Sequence, residues 1–291
     1  MDVLVVGALH HDVIVNAPRL PELDETLKGS SVAYALGGKG GNQARAAARH
    51  GAKTAFAGRV GNDAAGQAML LELAAGNVDT SQIDTDSVLA SGMSVAIVTA
   101  NGDYGAVIVS GANEAIDASG ITLPQGLKWL ILQNEVLPEI NLAVAKRAAK
   151  MGVKIIYNAA PARAIDQHLM DLVNVLIVNR IEAKALGDTA FTINGTIIET
   201  RGGEGLNLLP AGGGSEFIPA FRVQVASTHG AGDCFVGALA ARLCAGDGLK
   251  KAALYASAAA ALHVSATALI RSKITPHDVF NLIGTRHAHG H

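Results

Sequence analysis

Three observations in the sequence predict an α/β fold with a mostly parallel central sheet. Short apolar runs rich in Val, Ile and Leu recur along the 291 residues, alanine-rich helical patterns lie between them, and charged residues make up only 16% of the chain. Strands buried on both faces give continuous apolar runs. Their alternation with helices is typical of a parallel sheet with helices on both faces.

The apolar runs predict six core strands, and the periodic stretches predict six helices. No internal repeat or linker separates them, so we expect one domain over residues 1–291. The strands are expected at 3–6, 54–57, 129–133, 154–157, 175–178 and 196–199. The helices are expected at 43–50, 64–75, 139–151, 233–244, 249–264 and 277–282.

Two regions of alternating or β-branched residues interrupt this order and predict a small antiparallel sheet. They lie at about residues 12–37 and 92–110. In the second region Asn101-Gly102-Asp103 separates two apolar runs, which is typical of a hairpin turn. We expect a β lid over a bound substrate. An additional edge sheet or a contact between subunits is the alternative, and a lid can also form such a contact.

The stretch between residues 179 and 200 is unusually short for a connection between parallel strands. A helical pattern covers only 181–186, whereas such a crossover commonly takes about a dozen residues or more. Either the sheet closes through a minimal crossover, or residues 191–198 form a local hairpin.

Composition and charge exclude several classes of protein. Apolar residues make up 49% of the chain and the net charge is −2, which argues against disorder and leaves no broad basic surface for nucleic acid or membrane. The sequence has neither a basic leader segment nor an apolar run of about 18 residues, so we expect a cytoplasmic protein without membrane partners. Cys234 and Cys244 match no disulfide or zinc spacing.

A glycine-rich turn near the C-terminus predicts an anion site. Gly230-Ala231-Gly232-Asp233 stands directly before a helical pattern. Small residues let backbone N–H groups approach an anion, and the positive end of the helix dipole attracts it. Asp233 would then be a base beside the anion. In the alternative interpretation it is only the N-cap of the helix, where Asp is common.

A second glycine-rich turn carries a cation and an amide. It runs from Gly37 to Ala44 as Gly-Gly-Lys-Gly-Gly-Asn-Gln-Ala and leads into an alanine-rich helix. It has neither the final Gly-Lys-Ser/Thr of a P-loop nor the spacing of a dinucleotide-binding turn. One such turn is weak evidence for function, but the two turns together favour a phosphate-binding site.

These residues resemble the ribokinase (PfkB) family of sugar kinases, which implies a ribokinase-like α/β fold with a β lid. The resemblance spans nearly the whole chain, because seven motifs follow one another in the family's order. They lie at residues 7–12, 37–44, 133–135, 158–162, 179–182, 200–203 and 230–233.

The resemblance implies transfer of the γ-phosphoryl group of ATP to a sugar hydroxyl, with ribose as the expected substrate and ribose 5-phosphate as the product. Asp233 would accept the hydroxyl proton, and Gly230, Ala231 and Gly232 would offer N–H groups to the transferred group. We also expect a homodimer through the lid. On the sugar side the matching residues are Asp12, Gly38, Lys39, Asn42 and Glu135, and we expect His10 to bind the sugar as well, as a donor to a hydroxyl group. On the nucleotide side they are Asn179, Thr200, Gly202 and Gly205, with Glu182 holding Mg²⁺ through water.

Three features depart from the family pattern. His10 stands where the pattern has Asn, so a fructokinase-like, phosphosugar or nucleoside kinase is an alternative. Ser227 stands where the pattern has an Asp tied to a monovalent-cation site, and a neutral hydroxyl argues against activation by potassium. The short stretch 179–200 lies beside the expected nucleotide loop, which leaves a non-catalytic sugar- or nucleotide-binding protein as a further alternative.

Overall fold

The computed structural model describes residues 1–99, 101, 103–187 and 193–288. In this part of the chain thirteen strands form two sheets and nine α-helices accompany them. None of these described helices has the length and apolar character needed to cross a membrane. The strands are β1 (Val3–Val6), β2 (His10–Ala17), β3 (Ser31–Gly37), β4 (Thr54–Gly61), β5 (Val78–Asp86), β6 (Met93–Thr99), β7 (Tyr104–Val109), β8 (Trp129–Gln133), β9 (Lys154–Asn158), β10 (Val175–Asn179), β11 (Thr196–Thr200), β12 (Gly205–Pro210) and β13 (Glu216–Pro219). The helices are α1 (Lys39–Arg49), α2 (Ala64–Ala75), α3 (Pro138–Lys150), α4 (Gln167–Met170), α5 (Arg180–Leu186), α6 (Ala231–Cys244), α7 (Leu249–Ser265), α8 (Ala268–Arg271) and α9 (Pro276–Ala288).

The larger sheet has nine strands in the order β13-β12-β11-β10-β9-β8-β1-β4-β5. The strands from β11 to β5 pair in parallel, and β12 and β13 add antiparallel at one end. This confirms the predicted α/β class, and the six predicted core strands are present. The sequence patterns do not predict β5, β12 and β13. These strands lie at the two ends of the sheet, where polar residues interrupt the apolar runs.

Alternate residues of the central strands point to opposite faces of the large sheet, and each face has its own apolar core. On β1, Val3 and Val5 pack into one core, whereas Leu4 and Val6 pack into the other. The first core includes α6 and α7, and the second includes α3. Because both faces are covered, β1 is apolar at every position, and β8, β9 and β10 are apolar over most of their length.

The smaller sheet has the strand order β3-β2-β6-β7. β2 pairs antiparallel with β3, and β6 pairs antiparallel with β7, but β2 and β6 run parallel. The expected antiparallel pairing is therefore wrong for one pair, because the chain passes through the α/β core between β3 and β6. Where β6 turns towards β7, the Thr99 N–H donates to the Asp103 carbonyl at 2.9 Å. Gly102 of the predicted turn lies outside the described residues.

The short connection after β10 is a minimal crossover. α5 has only seven residues, yet β10 and β11 pair in parallel. The helix starts at once because Asn179 and Glu182 form a capping box. The alternative was a local hairpin over residues 191–198, of which 191 and 192 lie outside the described residues. Residues 196–198 belong to β11, which pairs with β10 and β12.

The helix after the first glycine-rich turn begins earlier than the sequence pattern predicts. α1 starts at Lys39 rather than Gln43, so Gly40 and Gly41 are helical. A Cβ on Gly41 would lie 2.7 Å from Leu9 Cδ2. Glycine at this position therefore lets the first turn of α1 pack closely against the segment that follows β1.

The helix after the second glycine-rich turn also starts earlier than expected. α6 begins at Ala231, with Gly230 as its N-cap at φ 74°. This is the left-handed region, which favours glycine. Asp233 is therefore the third residue of the helix, and its alternative interpretation as an N-cap is wrong.

The backbones of α1 and α6 touch at Gly237. A Cβ on this residue would lie 2.5 Å from Ala46 Cβ, 2.5 Å from the Gln43 carbonyl oxygen and 2.6 Å from the Ala47 nitrogen. Two of these three atoms belong to the backbone and cannot rotate away. The absence of a side chain at Gly237 therefore sets the distance between the two helices that carry the glycine-rich turns.

We predict that Gly237→Ala lowers the free energy of unfolding by about 1–3 kcal/mol, because the added methyl group forces α1 and α6 apart. Equilibrium unfolding in urea measures this change. The matched control is Gly284→Ala in α9, where an added Cβ meets nothing within 4 Å. There we expect a gain of up to about 1 kcal/mol from helix propensity. Equal stability of the two variants would contradict the close contact at Gly237.

Candidate active site

The carboxyl ends of neighbouring parallel strands meet at one edge of the large sheet. Glu135 follows β8, and Asn158, Asn179 and Thr200 are the last residues of β9, β10 and β11. In open α/β sheets, ligands bind in the crevice outside these ends. A cavity of about 240 Å³ lies here, and Asn158, Asn179, Thr200 and Asp233 are among its lining residues. We call it the strand-end cavity.

Asp233 lies in the first turn of α6 and lines the strand-end cavity. The residue is 8% exposed, and its Oδ1 accepts a hydrogen bond from Gln43 Nε2 at 3.0 Å. Burial raises the pKa of the Asp233 carboxyl, while the Lys39 ammonium and the amides of Gln43 and Asn42 oppose this shift. A buried carboxylate whose charged form still has partners is suited to accept a proton.

The N-terminus of α6 forms a cradle for an anion. The N–H groups of Gly230 and Gly232 have no hydrogen-bond partner among the described residues, and both residues line the strand-end cavity. The Ala231 N–H is already engaged, because it donates to the Thr228 carbonyl at 3.2 Å. Two of the three predicted donors are therefore available, at the positive end of the helix dipole.

Lys39 connects the strand-end cavity to a second acid. Its side chain lines the cavity, and its backbone N–H donates to Glu135 Oε2 at 2.6 Å. Burial raises the pKa of Glu135 to about 7; Lys39 opposes this shift, whereas Asp233 and Asp12 add to it. Asp12 and Asp233 therefore lie close enough to Glu135 for their negative charges to disfavour its ionised form.

A second cavity, of about 430 Å³, lies between the small sheet and α1. We call it the sheet–helix cavity. Asp12 from β2 and Asn42 from α1 line it, and burial raises the pKa of Asp12. Arg45, Arg49 and Arg271 also line it, so this cavity combines hydrogen-bonding groups with positive charge.

His10 is held at the start of β2 with an unpaired nitrogen. The residue is 4% exposed, and its Nε2 has no hydrogen-bond partner among the described residues. Asn113 fixes the residue before it, because its side chain donates to the Leu9 carbonyl at 2.8 Å and accepts from the Leu9 N–H at 2.9 Å. A Cβ on Gly38, the N-cap of α1, would lie 3.0 Å from the backbone nitrogen of His10. Burial lowers the pKa of His10, which keeps the imidazole neutral and able to donate or accept.

Asn179 and Glu182 line the strand-end cavity as a hydrogen-bonded pair. Asn179 Oδ1 accepts from the Glu182 N–H at 2.9 Å, and Glu182 Oε2 accepts from the Asn179 N–H at 2.7 Å. Burial raises the pKa of Glu182. No cluster of three or more metal-binding side chains occurs among the described residues. A single carboxylate beside a phosphate site fits Mg²⁺ held through water, since Mg²⁺ commonly retains several waters.

The predicted nucleotide-side glycines do not line either cavity. Thr200 lines the strand-end cavity, but Gly202 and Gly205 line neither cavity. They shape the turn between β11 and β12, with φ of 57° and 132°. The Arg201 N–H donates to the Gly205 carbonyl at 2.8 Å and closes this turn. The backbone conformation explains the two glycines, and their contact with a nucleotide stays a prediction.

Sequence reasoning missed three polar residues of this region. Gln43 supports Asp233, Asn113 fixes the start of β2, and Asn158 lines the strand-end cavity with a buried Oδ1 that has no partner among the described residues. Gln43 lies in the motif at residues 37–44 and Asn158 in the motif at residues 158–162, and this membership was the signal that could have identified them. A motif does not tell which of its side chains point inwards.

The arrangement suits transfer of an anionic group to an alcohol. Free N–H groups at Gly230 and Gly232 can hold the anion, and Lys39 can neutralise it. Asp233 lies beside them and can take a proton from a hydroxyl group. Asn42, in the neighbouring cavity, can hold the molecule that carries this hydroxyl group.

Comparisons with known proteins agree with this chemistry. The chain matches the pfkB family of carbohydrate kinases over residues 1–276. It is 33% identical over 273 residues to the ribokinase of Bacillus subtilis (strain 168), covering 90% of this chain and 92% of that protein. It is 30% identical over 282 residues to the deoxyribokinase of Salmonella typhi, covering 88% and 92%. The structure of Arabidopsis thaliana ribokinase complexed with ribose and ATP superposes with a TM-score of 0.89 at 26% identity, covering 97% of this chain and 98% of that chain. The chain therefore belongs to the pfkB family of carbohydrate kinases.

Proposed function

We propose that this protein is an ATP-dependent ribokinase that converts ribose to ribose 5-phosphate, with the cytoplasm as its expected location. The observation that carries the proposal is the position of Asp233, a buried carboxylate beside the free N–H groups at the start of α6. The similar proteins of Bacillus subtilis and Arabidopsis thaliana are ribokinases, and the latter is complexed with ribose and ATP.

In the proposed reaction Asp233 accepts the proton of a sugar hydroxyl as its oxygen bonds to the γ-phosphorus. The bond between the γ-phosphorus and the β–γ bridging oxygen breaks, and ADP leaves with that electron pair. The N–H groups of Gly230 and Gly232 donate to oxygens of the transferred group, and Lys39 neutralises part of its charge. Ala231 supports the cradle through its bond to the Thr228 carbonyl.

On the nucleotide side we assign ATP contacts to Asn179 and Thr200, which line the strand-end cavity. We assign Gly202 and Gly205 to the turn that presents the nucleotide loop. Glu182 would hold Mg²⁺ through water, and Mg²⁺ supplies neutralisation of phosphate charge when bound.

On the sugar side the proposed ligands offer both donors and acceptors. Each sugar hydroxyl donates and accepts, so carboxylates and amides are suitable partners. A site built to pair hydroxyls penalises an analogue that lacks one, because a buried polar group is left unpaired. The assigned residues are His10, Asp12, Gly38, Lys39, Asn42 and Glu135.

A sugar that already carries a phosphate or carboxylate group is the second candidate substrate. The sheet–helix cavity contains Arg45 and Arg49. Arg45 pairs with Glu72 at 3.1 Å. Burial lowers the pKa of Arg49, and no carboxylate forms an ion pair with this residue in the described part of the chain. A half-buried guanidinium without a carboxylate partner favours an anionic group on the ligand.

The face of the small sheet opposite Asp12 favours a homodimer. Val13, Tyr34, Val95 and Val107 lie side by side across the four strands, and Tyr34 and Val107 are 63% and 68% exposed. Exposed apolar patches of this kind mark protein contacts. We propose that a second copy of the chain covers this face, since an apolar patch is complementary to itself across a two-fold axis.

We predict that the protein releases ADP from ATP with ribose at a higher kcat/KM than with deoxyribose, fructose, nucleosides or phosphosugars. A coupled assay of ADP release, with the product identified by mass spectrometry, measures this preference. A preference for a phosphosugar would favour the second candidate, and absence of turnover with every sugar would overturn the proposed function.

We predict that Asp233→Asn lowers kcat by about 10²–10⁴-fold, because the base is lost. Its thermal midpoint should equal or exceed that of the wild type, since burial disfavours the ionised carboxylate at neutral pH. The control Asp84→Asn, an exposed acid on β5, should keep full activity. Near-normal turnover by Asp233→Asn would mean that another group is the base.

We predict that the raised pKa of Glu135 makes the stability of the ligand-free protein depend on pH. Its pKa of about 7 in the folded state lies above the ordinary 4.5, so the folded state retains a proton that the unfolded state releases. This stabilisation is complete below about pH 4.5 and is lost as pH rises through about 7. In Glu135→Gln, the fall in the free energy of unfolding between pH 5 and about 8 should be smaller by up to about 3 kcal/mol.

Urea unfolding at a series of pH values measures this difference. Gln can still accept the Lys39 N–H, so the variant removes the titration and keeps the contact. The exposed Glu139→Gln should follow the wild-type curve. Parallel curves for the wild type and Glu135→Gln would contradict the elevated pKa.

We predict that Val107→Lys converts the dimer to a monomer, because a charge placed on the apolar face has no partner there. Light scattering after size-exclusion chromatography measures the mass over a range of concentrations. Val88→Lys is the control, because Val88 is 89% exposed and lies outside the small sheet. A monomeric wild type, or a Val107→Lys variant that stays dimeric, would exclude this interface.

A further inference from the structure

One side chain forms hydrogen bonds to the segment that leads into α6. Arg271, the last residue of α8, donates from Nη2 to the Ser227 carbonyl at 2.9 Å and from Nη1 to the His229 carbonyl at 3.3 Å. Its Nε donates to the His263 carbonyl at 2.9 Å and to the Ala266 carbonyl at 3.1 Å. A single guanidinium therefore meets four carbonyls, two before α6 and two around the end of α7.

Further hydrogen bonds bring the same two segments together. The N–H groups of Ala226 and Ser227 donate to the Val264 carbonyl at 2.8 and 3.1 Å. His263 Nε2 lies 2.9 Å from the His229 carbonyl oxygen. Several carbonyl oxygens are thus gathered into a small volume directly before the N-cap of α6.

Converging carbonyls form the kind of site that holds a monovalent cation, because their dipoles can replace the ion's hydration shell. The family resemblance implies such a cation near position 227, together with an Asp. The residues present here do not fit a dissociable ion. Residue 227 is Ser, and the Arg271 guanidinium already donates to the four carbonyls.

We propose that Arg271 is a built-in cation for the phosphoryl-transfer site described above, so that the enzyme needs no potassium. Its guanidinium fixes the segment before α6 and thereby keeps Gly230 and Gly232 at the strand-end cavity, with Asp233 beside them. Arg271 is thus a positioning residue. A bound ion depends on its concentration, whereas an arginine stays charged and its planar fork is rigid.

The wild-type protein is tested first, in potassium, sodium and choline chloride at constant ionic strength. We expect the same kcat, the same KM for ATP and the same thermal midpoint of the ligand-free protein in all three salts. A potassium-specific rise in kcat or in the thermal midpoint would show a functional ion site and overturn the proposal.

The Arg271→Ala variant removes the guanidinium group from the four carbonyls. We expect kcat to fall about 10²-fold, since a small displacement of catalytic groups costs about this much. Potassium or guanidinium ions, but not choline, should restore part of the activity and raise the thermal midpoint. Arg271→Lys keeps the charge but not the planar fork, so its kcat should lie between those of the wild type and Arg271→Ala. Lys273→Ala, which removes a nearby exposed charge, should behave as the wild type.

Full activity of Arg271→Ala, or the same response of this variant to potassium and choline, would overturn the proposal. If Arg271→Ala fails to fold, Arg271→Gln and the wild-type salt series decide. The thermal measurement uses neither sugar nor ATP. Loss of the ribose assignment would therefore show in the turnover assay alone, and the salt response of the ligand-free protein would still decide the role of Arg271.

Discussion

The close contact of α1 and α6 is the constraint on which the site depends. Because Gly237 has no side chain, the two helices approach far enough for Gln43 to donate to Asp233 at 3.0 Å. The same helix α1 begins at Lys39, whose N–H holds Glu135. One contact between helices therefore aligns the two glycine-rich turns, although almost two hundred residues of chain lie between them.

The site carries an electrostatic cost before any ligand binds. Burial raises the pKa values of Asp12, Glu135, Glu182 and Asp233, and Lys39 is the cation placed among these acids. Such perturbed groups are typical of functional sites, where local stability is given up for chemistry. The two apolar cores on the faces of the large sheet offset this cost. Hydroxyl donors on a sugar and the cations that accompany a nucleotide would relieve it.

The sequence was informative where physical causes are local. The expected strands 3–6 and 129–133 match β1 and β8 residue for residue, because full burial leaves four consecutive apolar residues in each. The parallel pairing of β2 and β6 was not predictable, since it depends on the path of the chain between them. Asp233 was found because its motif stands at a helix start. Its partner Gln43 lies 190 residues away, and Arg271 acts on carbonyls 44 residues away, so neither pairing leaves a local pattern.

The position of Asp12 on the small sheet affects how the proposed reaction could exclude water. Only three residues separate β2 from β1, yet β2 belongs to a different sheet from the strands beneath Asp233. An acceptor must therefore bridge two separate parts of the molecule to contact both carboxylates. Contact with both carboxylates would tie the two sheets together across the site. A sugar held in this way would exclude water from Asp233 while ATP is bound, which limits wasteful hydrolysis.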